Sequence, residues 1–473
     1  MKFVIACLVI VIPLTWAAAY EPWLAIAGIA AILSGCLFWF RQKAAAGIGV
    51  LAVLFGGTLE HLTQISVLGY VDEGFVVLAA SLFTLRRLAG TGNIRGLPGG
   101  RWFLIYAILG AISSAIAGVA PLLAAQSGFL MLKGVILAFG MMQLDWKQAD
   151  IAPLAKSAGW VIMALLACTA INFAAPTAWN AIFAQESGGV QIRYGMPSLI
   201  GPFTHPGLYG PIMALAAVAL VAYRSTVRKS PLTLVMMAGS FIGAIFSFRR
   251  KVLAAAVVGM LAAKAAAPGR KAITITFLVL AAPVAAYAFS EEIVSMVRAT
   301  YDEYLVNPEE SSRTLFYIDS VKLAALAFPF GVGFARYGSF LAGQEYSPEY
   351  VALGYDKIYG LGTGENSGFL SDTFWPAIVG ETGFIGAIAY TIGLFMLARP
   401  AFRLARRGVD RYHRFMGVLA VAWLAEFLIE SIAGAVFSSP PMFPLLFGAL
   451  AIAASMQKQS EQIERKAKES VLA

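Results

Sequence analysis

Residues 205–229 read HPGLYGPIMALAAVALVAYRSTVRK. Nothing between Pro206 and Tyr223 is charged, and the run ends on Arg224, Arg228 and Lys229. A helix of about 18–20 apolar residues, rising 1.5 Å per residue, crosses the hydrocarbon core of a bilayer. Cations directly beyond such a run mark its cytoplasmic end. This stretch therefore predicts a membrane helix that starts outside near His205 and ends inside near Arg224.

The same pattern repeats in both directions. Apolar runs cover about 3–19, 23–40, 44–60, 66–85, 102–123, 128–144 and 154–174, and then 231–248, 252–267, 272–289, 374–397, 415–434 and 440–456. With 205–222 they make about fourteen spans, twelve to fourteen once the weakest are discounted. Span 66–85 is interrupted by Asp72 and Glu73. Of the 473 residues 59% are hydrophobic and only 13% charged, about half the charge of a soluble domain. That balance excludes a soluble enzyme, a disordered chain and a disulfide scaffold. A β-barrel is excluded because its strands alternate in segments of ~10 residues. The fold class is an all-α polytopic membrane protein: spans 1–11 within residues 1–289, a large loop at 290–373, three further spans in 374–456 and a polar, solvated tail at 457–473.

Lys and Arg number 35 against 26 Asp and Glu, a net of +9. In a soluble chain that excess suggests nucleic acid; here orientation accounts for most of it. The inside loops hold Arg41 and Lys43, Arg86, Arg87, Arg95 and Arg101, Arg224 to Lys229, Arg270 and Lys271, and the run from Arg399 to Arg414. The tail adds Lys458, Arg465, Lys466 and Lys468, whereas the turns at 20–22, 125–127 and 435–439 carry no Lys or Arg. Both termini are thereby expected in the cytoplasm. Residues 1–19 read as an uncleaved first helix, with a signal peptide ending at Ala17-Ala18-Ala19 as the alternative. Cys7, Cys36 and Cys168 sit in apolar runs without zinc-ligand spacing and read as small packing residues.

Two outside regions are long, about 175–204 and Ser290 to Thr373, and loops of that length in an economical fold usually work. Ser312 to Ala327 predicts an amphipathic helix at the outer membrane face, with Leu315, Ile318, Leu323 and Leu326 on its apolar side. Arg249-Arg250-Lys251 breaks the charge rule, because the topology puts three cations at the outer edge. A cytoplasmic turn and snorkelling towards head groups are the bland explanations. An anion site in a polar cavity is the sharper one, with Arg193 and Arg313 converging from the long loops. Guanidinium forks suit phosphate or pyrophosphate. Tyr346, Tyr350, Tyr355 and Tyr359, interleaved with carboxylates, offer faces for a sugar or anchors at the interface. Gly331 to Gly338 has no nucleotide-loop pattern and reads as a tight turn placing Arg336. Lys133 is a mid-span cation that either marks a transport path or pairs with an acidic neighbour.

Four stretches together resemble the O-antigen polymerase/O-antigen ligase superfamily of bacterial polysaccharide assembly. They are Arg193-Tyr-Gly with Gly201-Pro-Phe-Thr-His-Pro-Gly-Leu-Tyr-Gly210, Ser247-Phe-Arg-Arg-Lys251, Ser312-Arg313 with Pro329-Phe-Gly-Val-Gly-Phe334, and Glu365-Asn366-Ser-Gly-Phe with Glu381-Thr-Gly-Phe-Ile-Gly386. The resemblance covers about residues 190–400. It implies a glycosyltransferase C-type membrane bundle with a large periplasmic loop in the bacterial inner membrane. It implies an undecaprenyl-pyrophosphate-linked glycan as donor and transfer to a glycan, lipid or protein hydroxyl, with no cofactor, no metal and no nucleotide sugar. A chain-length regulator and a flippase are the implied partners.

Ligases of that superfamily have His before the Asn of the fourth stretch, where this chain has Glu365 before Asn366. The three histidines are His61, His205 and His413, none of them in the large loop. His205 stands where the family often has Asn, and His413 reads as a solvated loop residue. The expectation is a polymerase of repeat units, with a ligase or a lipid-linked-sugar transporter as alternatives. Its candidate catalytic residues are Glu365 as base, with Asp372 as the rival, and Arg249 at the pyrophosphate. Arg193, Arg250, Arg313, His205, Asn366 and Asp372 are the candidate substrate-binding residues.

Overall fold

The computed structural model describes residues 33–185, 190, 192–193, 195–269 and 312–472, with the side chains of Arg193, Glu365 and residues 462–472 outside that set. The spans expected at 3–19 and 272–289, most of that at 23–40, and the start of the large loop at 290–311 lie outside the described residues.

The described chain is helical. In order it forms α1 Gln42–Thr63, α2 Val71–Thr91, α3 Gly100–Ile116, α4 Pro121–Met142, α5 Gln148–Ala174 and α6 Pro176–Phe183. A two-residue hairpin follows, β1 Ile192–Arg193 with β2 Met196–Pro197. Then come α7 Pro206–Thr226, α8 Pro231–Phe246, α9 Arg250–Ala266, α10 Ser312–Leu326, α11 Phe340–Gln344 and α12 Pro348–Ala352. The chain closes with α13 Trp375–Arg407, α14 Arg411–Glu430 and α15 Phe443–Leu472. Proline opens α4, α6, α7, α8 and α12, where its missing N–H is no loss.

Among the described residues seven helical segments are long and apolar enough to cross a membrane: Gln42–Thr63, Ser66–Thr91, Pro121–Met142, Gln148–Ala174, Pro206–Thr226, Trp375–Arg407 and Arg411–Ala433. Gly100–Ile116 and Pro231–Phe246 are shorter but equally apolar. The protein is a multi-pass helical membrane protein. Helices coincide with the expected runs from 44 to 267 and from 374 to 456, with shifted ends. The chain breaks at residues 117–120, several positions earlier than hydropathy suggests, because Pro121 starts the next helix. Helix α15 runs on through the tail, and the start of the tail departs from expectation in that Gln457 and Ser460 are buried rather than solvated. His413 is likewise buried, its Nδ1 2.6 Å from Oδ2 of the N-capping Asp410.

Small residues let the helices close up, as lipid-embedded packing requires. A Cβ on Gly140 would stand 2.8 Å from the Ala79 backbone, and one on Gly417 would stand 2.3 Å from the Ala405 nitrogen. The mid-span Lys133 is paired: its ammonium meets Asp72 and, at 2.9 Å, Glu73, beneath the Phe443 ring.

The two ends of the bundle differ chemically. At one end Lys43 meets Asp150 at 2.6 Å, Arg95 reaches Asp145 and Ser455, and Arg403 meets Glu461. Residues 312–374 fold over the opposite end. This cap has its own core of Phe316, Tyr337, Ala342, Tyr350, Tyr355, Leu361 and Leu370. The expected amphipathic helix is present as α10, but it turns Phe316, Asp319, Ser320 and Ala324 inward and leaves Leu326 exposed. Residues 331–338 plug the cap into the bundle. The Phe334 ring packs on Tyr106 at 5.7 Å, where a Cβ on Gly110 would stand 2.1 Å from the ring and one on Gly128 3.1 Å. The backbone N–H groups of Phe334, Ala335, Arg336 and Tyr337 donate to Ser114, Ser127 and the buried Glu381.

Candidate functional site

The site is assembled from the starts of α7 and α9 at the capped end of the bundle. Residues 198–204 are stapled between helices. Leu199 N–H donates to the Phe246 carbonyl at 2.9 Å, and the N–H groups of Ile200 and Gly201 share Asn172 Oδ1 at 2.9 and 3.1 Å. Trp179 Nε1 donates to the Gly201 carbonyl at 2.6 Å. The next residue, His205, caps α7 by accepting the Gly207 N–H on Nδ1 at 2.9 Å.

Across from it, α8 ends at a sharp turn. Ser247 is buried, and Phe248 adopts a left-handed φ of 53°, a strained value for a bulky residue. A Cβ on Gly210 would lie 2.5 Å from Ser247 Oγ, so glycine lets α7 approach this turn. Arg249, the residue before α9, thereby arrives with a guanidinium nitrogen 3.4 Å from His205 Nε2.

Because Nδ1 accepts from Gly207, the neutral ring carries its proton on Nε2. Two N–H groups then face each other at 3.4 Å. Two donors aimed at one point suit an acceptor such as an anion. Burial, reinforced by Arg249 and Lys251 and opposed by Asp372, pushes the His205 pKa down to about 4. The imidazole is therefore a neutral donor near pH 7.

Lys251 is the second residue of α9. It donates to the Ala433 carbonyl in the turn after α14 and meets Glu430 Oε2 at 3.6 Å. From the cap, Arg313 on α10 binds Asp372 through Nε at 2.9 Å and through a second nitrogen, and its guanidinium lies 5.1 Å from the Phe369 ring centroid. Tyr317 on the same helix donates to the Ile432 carbonyl at 2.8 Å, which docks α10 against the turn that holds Lys251.

The structure thus gathers His205, Arg249, Lys251, Arg313 and Asp372 at the capped end. Arg250 is half-buried at the first position of α9. Asn366 serves its own loop, accepting the Gly360 N–H at 2.6 Å and donating to the Ile358 carbonyl at 3.2 Å. That staple shapes the turn Gly364–Asn366 that carries Glu365. Arg193 sits in β1 opposite Met196. The Arg193 and Glu365 side chains lie outside the described residues. Arg336 is committed to Ala117 O at 2.7 Å and Glu349 at 3.3 Å.

The tyrosines divide. Tyr350 and Tyr355 are fully buried and stacked 5.6 Å apart, so they present no face to a sugar. Tyr359 is 81% exposed, stands edge-on to Phe369, and its carbonyl accepts from Ser312 Oγ at 2.7 Å, one residue before Arg313.

Glu426 and Glu430 escaped the sequence reading. They lie one turn apart on α14, buried on the face towards α7 and α9, close behind Lys251. Two carboxylates within an apolar helix were the available signal. Among the described residues no His/Cys/Asp/Glu group has the makings of a metal site. Compared with known proteins, the chain matches no family model and no curated sequence.

Proposed function

We propose that the protein is a membrane glycosyltransferase of the bacterial inner membrane, a polymerase that joins polyprenyl-pyrophosphate-linked glycan repeat units at the periplasmic face. The observation that carries this reading is the pair of N–H donors on His205 and Arg249, set among Lys251 and Arg313 at the end of the bundle away from the basic loops. Cationic donors at a buried edge suit a leaving pyrophosphate, whose charge grows as the glycosidic bond breaks.

In the proposed step the acceptor hydroxyl oxygen attacks the anomeric carbon of the donor. The bond from that carbon to the phosphate oxygen breaks, the anomeric configuration inverts, and polyprenyl pyrophosphate leaves. Arg249, with Arg250, Arg313 and Arg193 assisting, neutralises the leaving group. His205 donates from Nε2 without carrying a charge. The acceptor proton passes to a carboxylate; Glu365, which stands where ligases of the resembled superfamily have His, takes that role. Asp372 is the rival, but one of its oxygens is already engaged by Arg313. Tyr359 is the aromatic face open to a sugar ring. The pairing of Lys133 with Asp72 and Glu73 supplies acidic neighbours that account for this mid-span cation without a transport path.

The test is Arg249→Ala in the full chain. Loss of glycan polymerisation with unchanged membrane level and elution profile supports the proposal. Full activity of that variant removes the anion site from the mechanism.

A further inference from the structure

Behind the cation cluster lies a pair of acids that the reaction above does not use. Glu426 is 1% exposed, and among the described residues neither of its carboxylate oxygens has a hydrogen-bond partner. Glu430, one turn later, is equally buried, and among the described residues the one cation within reach is Lys251 at 3.6 Å. The crevice they share is lined by Pro211, Leu215, Phe427, Val436 and Met442. It is too small for a water molecule, so solvent cannot satisfy these oxygens. Helix α9 presses on them, since a Cβ on Gly259 would stand 3.3 Å from Glu426 Oε2.

Charge balance then decides. Two ionised carboxylates in an apolar, waterless crevice against one ammonium leave an uncompensated buried charge, a state that proteins avoid by binding a proton. A metal cation is disfavoured, because Lys251 already supplies the positive charge. Among the described residues, Lys251 from α9 and Asp372 from the cap are the charged groups outside the pair that reach it; the α7 lining is apolar and no titratable group of α13 or α15 does.

We propose that Glu426 and Glu430 are a buried proton-binding site holding one proton between them, which sets how tightly Lys251 is retained beside the anion site. With one proton bound, the pair carries a single negative charge and holds the Lys251 ammonium. A second proton, taken from bulk water, neutralises the pair and releases the ammonium towards the anionic ligand. The proton site stands on its own geometry; its effect on ligand binding rests on the anion site proposed above.

The experiment uses the full chain purified in detergent. Infrared spectra near pH 7 report protonated carboxyl groups through the acid C=O stretch. Glu426→Gln, neutral and of the same shape, should elute like the wild type and lose one such group. Lys251→Met, which removes the cation, should gain one. If Glu426→Gln leaves the band intact, or Lys251→Met gains nothing, the proton site is refuted. Inorganic pyrophosphate tests the coupling. Glu430→Gln should bind it several-fold more tightly than the wild type at the same pH, and equal or weaker binding overturns the link to Lys251. If the wild type fails to bind pyrophosphate while both infrared results hold, the anion-site reading fails and the proton site remains.

Discussion

His205 Nε2 lies 3.4 Å from the Arg249 guanidinium while His205 Nδ1 accepts the Gly207 N–H at 2.9 Å. One bond fixes the tautomer, and the other turns two donors towards one point. In the proposed anion site the helix cap takes part: the residue that caps α7 also faces the residue that caps α9.

Binding of inorganic pyrophosphate should depend on Arg249. A charge-assisted hydrogen bond contributes about 1.5–3 kcal/mol, so Arg249→Ala should weaken binding roughly 10- to 100-fold. Arg249→Lys should recover part of it, keeping the charge without the fork. Calorimetric titration of the purified protein checks this; equal affinities across the three proteins would contradict it.

Stability should carry the mark of the depressed His205 pKa. The ordinary value is 6.5 and the folded value about 4. As pH falls below about 6.5, the unfolded chain takes up a proton that the folded chain refuses until about 4, so this group's contribution shrinks across that window. His205→Asn keeps a capping acceptor without titrating. The expected result is a smaller fall in thermal midpoint from pH 7 to 4 for the variant than for the wild type. Parallel curves would show that His205 does not titrate as described.

Tyr350 and Tyr359 should behave oppositely. Tyr350→Phe removes the hydroxyl that accepts the Gly338 N–H at 2.8 Å within the cap core, a loss of about 1–3 kcal/mol of stability. Tyr359→Ala touches an exposed ring and should leave the thermal midpoint within about a degree, consistent with surface changes of under ~0.5 kcal/mol. Its effect should fall on glycan transfer, seen as a raised KM for the lipid-linked substrate.

Lys133→Met should be the most damaging of these changes to the fold. It leaves the buried Asp72 and the half-buried Glu73 without their cation, which costs about 3–5 kcal/mol. Replacing all three with apolar or amide residues should recover most of the loss. Failure of the triple variant to recover would point to a role for the network beyond charge balance.

Much of the site was legible because it violates a rule. Arg249 and Lys251 stand out where cations are disfavoured, and the spacing of apolar runs gave the helices on either side. Glu426 and Glu430 were equally visible as acids four apart in an apolar run, but the positive-inside pattern draws attention to basic residues. The fate of the tyrosines was not legible. Tyr350 and Tyr355 are buried by Phe316 and Tyr337, which are distant in sequence and meet them only once the cap folds. The helix break at Gly383, with φ 66°, was also hidden, since it follows from the close approach of the Gly331 loop.

The most direct measurement is to incubate the purified protein with polyprenyl-pyrophosphate-linked repeat units from its own host, without nucleotide sugar, and resolve the glycan by electrophoresis. A ladder spaced by one repeat, absent with Arg249→Ala, is the expected result. A folded wild-type protein that gives no ladder contradicts the polymerase. A single transfer on adding lipid A-core or acceptor protein would then indicate a ligase, and silence in both formats a transporter.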